Sequence, residues 1–342
     1  MHNSLNPPFF IAEISGNHNG DLLRALDIVQ ASASAGASAV KIQTYTAKTI
    51  TMDVDSDEFR VSADHELWGG RTLYNLYEEA FTPWEWHKPI FDKARELGIT
   101  PFSTPFDESA VDFLESLDCP IYKIASLEIV DLPLIEMVAA TGKPLILSTG
   151  TATLDEVSDA ISAARLGGAT DITTLVCTSS YPAKAKDANL SRMKTLHDLF
   201  GVKVGLSDHT LGSAVAVAAT ALGASVIEKH VTLSRADGGV DSAFSMEPGE
   251  LKQMILDIND ASWAIGRPDA WRTEAENESV RLRPSLRYDL NLEPGEIILE
   301  TSFRSVRPAG GLAPKDANLV LGKRLIRSVR YGDPVLVEDV DE

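Results

Sequence analysis

The sequence predicts an α/β fold, a (β/α)8 TIM barrel followed by a small β-rich domain. Three observations carry that expectation. Short apolar runs alternate with helix-length amphipathic segments through roughly the first 265 residues, nearly every apolar run ends in polar or charged residues, and the character of the chain changes after Ile265. The apolar runs fall at 9–14, 39–43, 100–103, 121–125, 145–148, 172–177, 204–206 and 225–229. Helical periodicity marks 22–35, 83–97, 108–117, 132–140, 154–166, 190–200 and 212–222 between them. An open doubly wound sheet is the alternative, and so many successive strand–helix units favour closure.

One insertion breaks the pattern. Residues 53–80 (with WGGRTLYNLYEEAF) are polar and aromatic and too long for an ordinary strand-to-helix connection, so they are expected to form a lid or arm over the barrel mouth. The barrel is assigned to 1–265. GRPDAWRTEAENESVR, 266–281, is polar and proline-bearing and is assigned as a linker. In 282–342, short β-like runs are separated by the turn signals LEPGE, RPAGG, LAPKD and YGDPV, enough for a β-rich domain with a modest core.

Composition sets outer limits. Fifty acidic against 31 basic residues give a net charge of −19, which makes nucleic acid and anionic membrane poor partners. No run approaches about 18 uninterrupted apolar residues, and MHNSLNPPFFIAE lacks the pattern of a secretory signal. Cys119 and Cys177 sit in apolar runs and are expected to be reduced core thiols, consistent with the cytoplasm. An anionic substrate would need a local basic and amide-lined pocket.

The strand ends supply candidates for one. Glu13 and Asn17-His18-Asn19-Gly20, Lys41 and Gln43, Ser103-Thr104, Lys123 and Ser126, Ser148-Thr149-Gly150, Thr178-Ser179-Ser180-Tyr181, Ser207-Asp208-His209 and Glu228-Lys229-His230 would all meet at the C-terminal rim of a barrel. Any single serine there has a plain alternative as a helix cap. Lys41 in AVKIQT and Lys123 in IYKIAS are costly to bury alone. The plain reading pairs them with Glu13 or Glu228; the sharper one has both hold a phosphate or carboxylate, with Ser126, Ser148 and amides near Gly150 as neutral donors. A Schiff-base lysine is a third option. His209 and His230, at neighbouring strand ends, suit a borderline divalent metal with open positions for water and substrate, or a proton shuttle. Asp241 in GGVDSAFS and Glu13 are candidates to move protons or to orient a sugar hydroxyl.

These same stretches, AEISGNHNGD, VKIQTY, FSTPFD, YKIASLE, LSTGTAT, GLSDHTLG and IEKHVTLSRADGGVDSAFS, resemble the sialic acid synthase family in order across the whole barrel. The last 60 or so residues look like its small antifreeze-like (SAF) domain. LWGGRTLYNLYEEAFTPWEWH and TSSYPA bring it nearest to the pseudaminic acid branch. The resemblance implies condensation of phosphoenolpyruvate with an amino sugar, and a divalent metal (Mn²⁺ first, with Co²⁺, Mg²⁺ or Zn²⁺ as alternatives) on His209 and His230. It implies a phosphoenolpyruvate pocket of Lys41, Thr104, Lys123, Ser126, Ser148, Ser179, Tyr181 and Ser207. Within it, Lys123, Ser126 and Ser148 would take the phosphate, while Lys41, Ser179 and Ser207 lie toward the carboxylate. Glu13, Gln43 and Asp241 would face the sugar, and Glu13, Lys41 and Asp241 would serve the chemistry. An arginine from the SAF domain of a partner subunit completes the family's site in a domain-swapped homodimer. Where relatives read Arg-Arg-Ser, this chain reads Arg283-Pro284-Ser285, so Arg283 is the candidate, with Arg287 as the alternative. STGTA replaces the more common STGMA without touching a candidate. The competing readings are N-acetylneuraminate or legionaminate synthesis, a Schiff-base aldolase, and a non-catalytic sugar-binding protein.

Overall fold

The computed structural model describes residues 6–341, so residues 1–5 of the N-terminal stretch read above as lacking a secretory signal lie outside the described residues. Eight parallel strands close into a barrel in sequence order: β1 (Phe9–Glu13), β2 (Ala39–Thr44), β3 (Thr100–Pro105), β4 (Tyr122–Ile124), β5 (Leu145–Ser148), β6 (Ile172–Cys177), β7 (Lys203–Asp208) and β8 (Val226–His230). Closure is made by β1 against β8, with Ile11 opposite Glu228 and Glu13 opposite His230.

The helices form where caps and apolar stripes agree. In Leu22–Ala35 the Asp21 side chain accepts from Leu23 N at 2.8 Å, Ala25, Ile28, Val29 and Ser32 form the buried stripe, and Gly36 ends the helix at φ 98°, a conformation glycine adopts without strain. Leu154–Leu166 opens on a reciprocal Thr153/Glu156 capping box. The helix after β8, Pro248–Ile265, is eighteen residues long and was not among the helices marked by periodicity.

Alternation along each strand sorts side chains between two layers. One set, including Val40, Ile42, Ile124, Leu147 and Ile227, packs with the helices in a single apolar core. The other set points into the barrel and carries its polar residues. Polar groups are also buried on the outward face: Thr44 Oγ1 lies 2.8 Å from His87 Nε2 and 2.6 Å from Ser103 Oγ, and His87 Nδ1 lies 3.2 Å from Pro83 O. Burial lowers the His87 imidazole to a pKa of about 4.

The chain divides into two compact units, the second beginning at Arg267. Residues 277–280, inside the stretch assigned as a linker, form one helical turn. The second unit packs Leu286, Tyr288, Leu292, Ile298, Val320, Leu325, Val329, Val335 and Val340 around one small core. Its regular strands among the described residues are β9 (Ser285–Tyr288) and β10 (Phe303–Val306), paired antiparallel, with further single bridges such as Leu292–Val329. Pro and Gly in the four turn signals interrupt the ladders, so the β character is present in short pieces. No helix among the described residues is long and apolar enough to cross a membrane.

Candidate active site at the C-terminal rim of the barrel

Four charged side chains from β1, β2, β4 and β8 meet inside the barrel, each nearly inaccessible to solvent. Lys41 Nζ makes a close ion pair with Glu13 and lies 3.9 Å from Glu228 Oε2, while Lys123 Nζ donates to Glu228 Oε1 at 3.1 Å. Thr104 Oγ1 accepts from Lys41 at 3.2 Å, Gln43 Nε2 donates to Glu13 Oε1 at 3.2 Å, and Ser207 Oγ donates to Glu228 Oε1 at 3.0 Å. Both lysines therefore have the carboxylate partners of the plain reading, and the serine, threonine and glutamine candidates bond to the same chain of charges. The electrostatics are uneven. Burial lowers the Lys123 ammonium, only partly opposed by Glu228, whereas for Lys41 the nearby Glu13 and Glu228 outweigh burial and hold it above its ordinary value. Burial raises the Glu13 carboxyl despite Lys41; Glu228, also buried, is held low because both lysines reach it.

Beside this chain lies a cradle of small residues. Ser126 Oγ accepts from Gly150 N at 3.2 Å, whereas Ser148 Oγ and Ser179 Oγ are buried with no hydrogen-bond partner. A Cβ placed on Gly150 would lie 2.3 Å from Ser179 Oγ and 2.7 Å from Ser126 Oγ, so only glycine leaves these hydroxyls a shared space. Buried hydroxyls without partners are costly unless a ligand meets them. Polar donors around a small void, with two lysines nearby, suit an anion.

His209 and His230 stand with ring centroids 5.2 Å apart. His209 Nδ1 lies 3.0 Å from Thr178 O, which places a proton on Nδ1 and orients the ring. Burial lowers this imidazole, but Cys177 and that carbonyl outweigh burial and raise it above its ordinary value, so a metal at Nε2 would displace the second proton. His230 Nδ1 is buried without a partner, and burial together with the nearby His209 keeps this ring in the neutral form that binds metals. No cluster of three or more His, Cys, Asp or Glu ligands occurs among the described residues. A buried, unpartnered imidazole nitrogen on a ring beside a second oriented imidazole fits a divalent ion whose remaining positions go to water and substrate.

The mouth is roofed by aromatic rings. Tyr181 lies 4.4 Å from the His209 ring and 5.0 Å from Phe244, measured between centroids, and Trp68 lies 5.7 Å from Tyr181. Trp68 belongs to the expected lid, which turns back on itself through a bridge between Arg60 and Thr72, and its Nε1 donates to Val240 O at 2.9 Å. A cavity of about 690 Å³ opens beside it, with Asp64, His65, Ser179 and Tyr181 in its wall. Asp241 is buried here and accepts from Ser15 Oγ in a close contact and from Gly16 N at 3.4 Å; burial raises its carboxyl.

All barrel candidates thus come together within one unit. Arg283 lies in the second unit, where its side chain is exposed. Arg287 is engaged inside that unit, donating to Gly332 O at 3.0 Å and Ala309 O at 2.9 Å. Sequence reasoning gave three contributors no part in the chemistry. Glu228 and Asn17 were placed at the rim, and Glu228 was offered besides as a lysine partner; its place two residues before His230 puts both on the inward face of β8. Cys177, expected to be a reduced core thiol, is free and buried but lies 3.8 Å from His209 Nδ1; burial raises its thiol, and His209 and Lys123 outweigh this and bring it to about 7. Asn17 ties the β1 turn to the β8 loop through Val231 O and Ser245 Oγ, both at 2.8 Å. The NHNG motif was visible, but its partners were not.

Known proteins match over the same length. A model of the NeuB family covers residues 28–270, and a SAF domain model covers 283–341. Pseudaminic acid synthase of Helicobacter pylori is 43% identical over 338 residues, 98% of this chain and 99% of that protein. Pseudaminic acid synthase of Campylobacter jejuni is 40% identical over 331 residues, covering 97% and 96%. A crystal structure of N-acetylneuraminic acid synthetase from Leptospira borgpetersenii, in complex with citrate, superposes with a TM-score of 0.71 at 32% identity over 81% of this chain and 91% of that one. The family model spans the strands that bring the lysines, serines and histidines together, and the chain belongs to the NeuB family, with a SAF domain at its C-terminal end.

Proposed function

We propose that this chain is a pseudaminic acid synthase, a transferase that condenses phosphoenolpyruvate with an open-chain diacetamido trideoxy hexose to give a nonulosonic acid and phosphate. The observation that carries the reading is the Ser126–Ser148–Ser179 cradle at Gly150, set beside Lys41 and Lys123 and the paired histidines. The names of the Helicobacter and Campylobacter relatives support the choice of sugar.

Lys123, Ser126 and Ser148 hold the phosphate, and Lys41, Ser179 and Ser207 lie toward the carboxylate, with Thr104 and Tyr181 lining the same pocket, so the enol ether is fixed with its C3 toward the mouth. Glu13, Gln43 and Asp241 orient the sugar there. A divalent metal, manganese before cobalt, magnesium or zinc, would be held by His209 and His230 and supplies Lewis-acid polarisation of the aldehyde. C3 forms the new carbon–carbon bond to the aldehyde carbon, water adds at C2, and cleavage of the C–O bond releases phosphate; the water oxygen becomes the keto oxygen and gives up both its protons, one to the former aldehyde oxygen and one to the departing phosphate. Glu13 and Asp241 are both suited to that traffic, because burial raises the carboxyl of each. Most of the rate gain is positioning and electrostatic preorganisation. The roof of Trp68, Tyr181 and Phe244 keeps bulk water out.

The reading extends to a cytoplasmic homodimer in which Arg283 of one protomer serves the sugar in its partner, supported by the exposed Arg283 and the two free thiols. An active monomer in dilute buffer would overturn the exchange. Offering each candidate amino sugar with phosphoenolpyruvate and measuring phosphate release tests the function. Turnover only with N-acetylmannosamine or with the legionaminate precursor would assign the chain to those branches, and borohydride trapping on Lys41 or Lys123 would point to an aldolase.

A further inference from the structure

The residues immediately preceding the two histidines are joined to one another. Asp208 and Lys229 are register partners at the ends of β7 and β8. Alternation turns them away from the barrel interior, opposite in sense to Ser207 and Glu228. Lys229 Nζ donates to Asp208 Oδ2 at 2.9 Å and, in a closer contact, to Thr210 O. Asp208 Oδ1 accepts from Thr210 N at 2.9 Å and from Thr210 Oγ1 at 2.7 Å. Both charged side chains are only 1% exposed. Lys229 therefore grips the residue before His209 and the residue after it, and it is itself the residue before His230.

A buried ion pair is a poor way to gain stability, since two apolar side chains of similar volume would close the same gap at no desolvation cost. Such a pair does supply fixed direction. Two hydrogen bonds from Lys229, to the Asp208 side chain and to the Thr210 carbonyl, tie the residues on either side of His209 to the strand that carries His230, so the two strand ends cannot slide independently of each other.

We propose that Asp208, Lys229 and Thr210 are positioning residues, a cross-strand clamp that sets the spacing and orientation of the two imidazoles and through them the affinity for a divalent metal. The proposal rests on the reading that His209 and His230 hold that metal. Outer partners of metal-binding histidines typically change affinity by roughly 10–100-fold.

The test is a Co²⁺ titration of the metal-free full-length protein, followed by calorimetry and visible absorption. It compares wild type with His209→Ala, Lys229→Arg, Thr210→Val and the double variant Asp208→Asn/Lys229→Met, with folding checked by circular dichroism. The double variant removes both charges together and leaves no unpaired ion; Thr210→Val keeps the pair and removes one donor, so it reads the clamp even where the double variant does not fold. Expected are a Kd raised roughly 10–100-fold and an altered absorption band in the double variant, a rise of a few-fold in Thr210→Val, and partial recovery in Lys229→Arg. A folded double variant, or Thr210→Val, with wild-type affinity and spectrum would overturn the clamp while leaving the metal reading intact. Wild type and His209→Ala binding Co²⁺ alike would overturn the metal reading and the clamp with it.

Discussion

Two buried polar centres, one in each unit, are built to opposite rules. In the second unit Asp339 is wholly buried and both its oxygens are engaged, Oδ1 by Arg327 Nε at 2.7 Å and Oδ2 by Tyr288 Oη at 3.0 Å and Leu336 N at 2.8 Å. At the barrel mouth Ser148 Oγ, Ser179 Oγ and His230 Nδ1 are equally hidden and have no partner. An unsatisfied buried group calls for an explanation, and a ligand is one. Asp107 Oδ1 and Arg192 Nε are also buried without partners, so it is the convergence of orphaned atoms at one rim that marks binding.

Four experiments can break or sharpen that contrast. The largest effect is expected from His209→Ala/His230→Ala, where kcat should fall by on the order of 10³, the rate equivalent of several kcal/mol. Full activity retained in that variant after chelation would end the metal role. Next is Lys123→Met, which should raise the phosphoenolpyruvate KM by roughly tenfold or more. It should also lower stability by about 3–5 kcal/mol, because Glu228 loses its nearest cation in the barrel interior. A stability loss with unchanged KM would return Lys123 to a purely structural role.

Acid should act on the satisfied class. His18 and His87 are buried and held neutral, each lowered from 6.5 to about 4. The unfolded chain binds their protons first as pH falls, so their contribution is intact above about 6.5 and is lost progressively toward 4. The slope is about 1.4 kcal/mol per pH unit for each histidine. Urea midpoints measured across that window should fall, and more shallowly in His87→Gln. The smallest effects form the direct comparison. Asp339→Asn should cost about 2 kcal/mol of stability and leave the phosphoenolpyruvate KM alone. Ser148→Ala should leave the melting temperature alone and raise that KM several-fold, worth about 1 kcal/mol. The reverse pattern would mean that the unsatisfied hydroxyls are incidental.

Much of this was legible in the sequence because alternation and helical periodicity are local. β5 and β6 coincide with the apolar runs at 145–148 and 172–177, and the remaining barrel strands differ by one or two residues at their ends. The polar strand ends announced the rim for the same reason. Pairings were harder. Lys41 and Lys123 stood out by their apolar flanks, yet which carboxylate each would meet depends on closure of β1 against β8, across more than two hundred residues. Asp208 and Lys229 were visible within polar clusters, but only the β7–β8 register shows that they face each other. Cys177 looked like core because its neighbours in the strand are core; its inward direction gives it His209 as a neighbour instead.

The chain of two lysines and two glutamates has one more consequence. Their charges cancel, so the interior offers no ready-made positive hole, and a visitor must compete with Glu13 and Glu228 for cations that are already taken. A weakly charged look-alike such as pyruvate lacks the leverage to win that contest. Small monocarboxylates are therefore expected to inhibit far more weakly than phosphorylated acids, which competition assays with pyruvate would check.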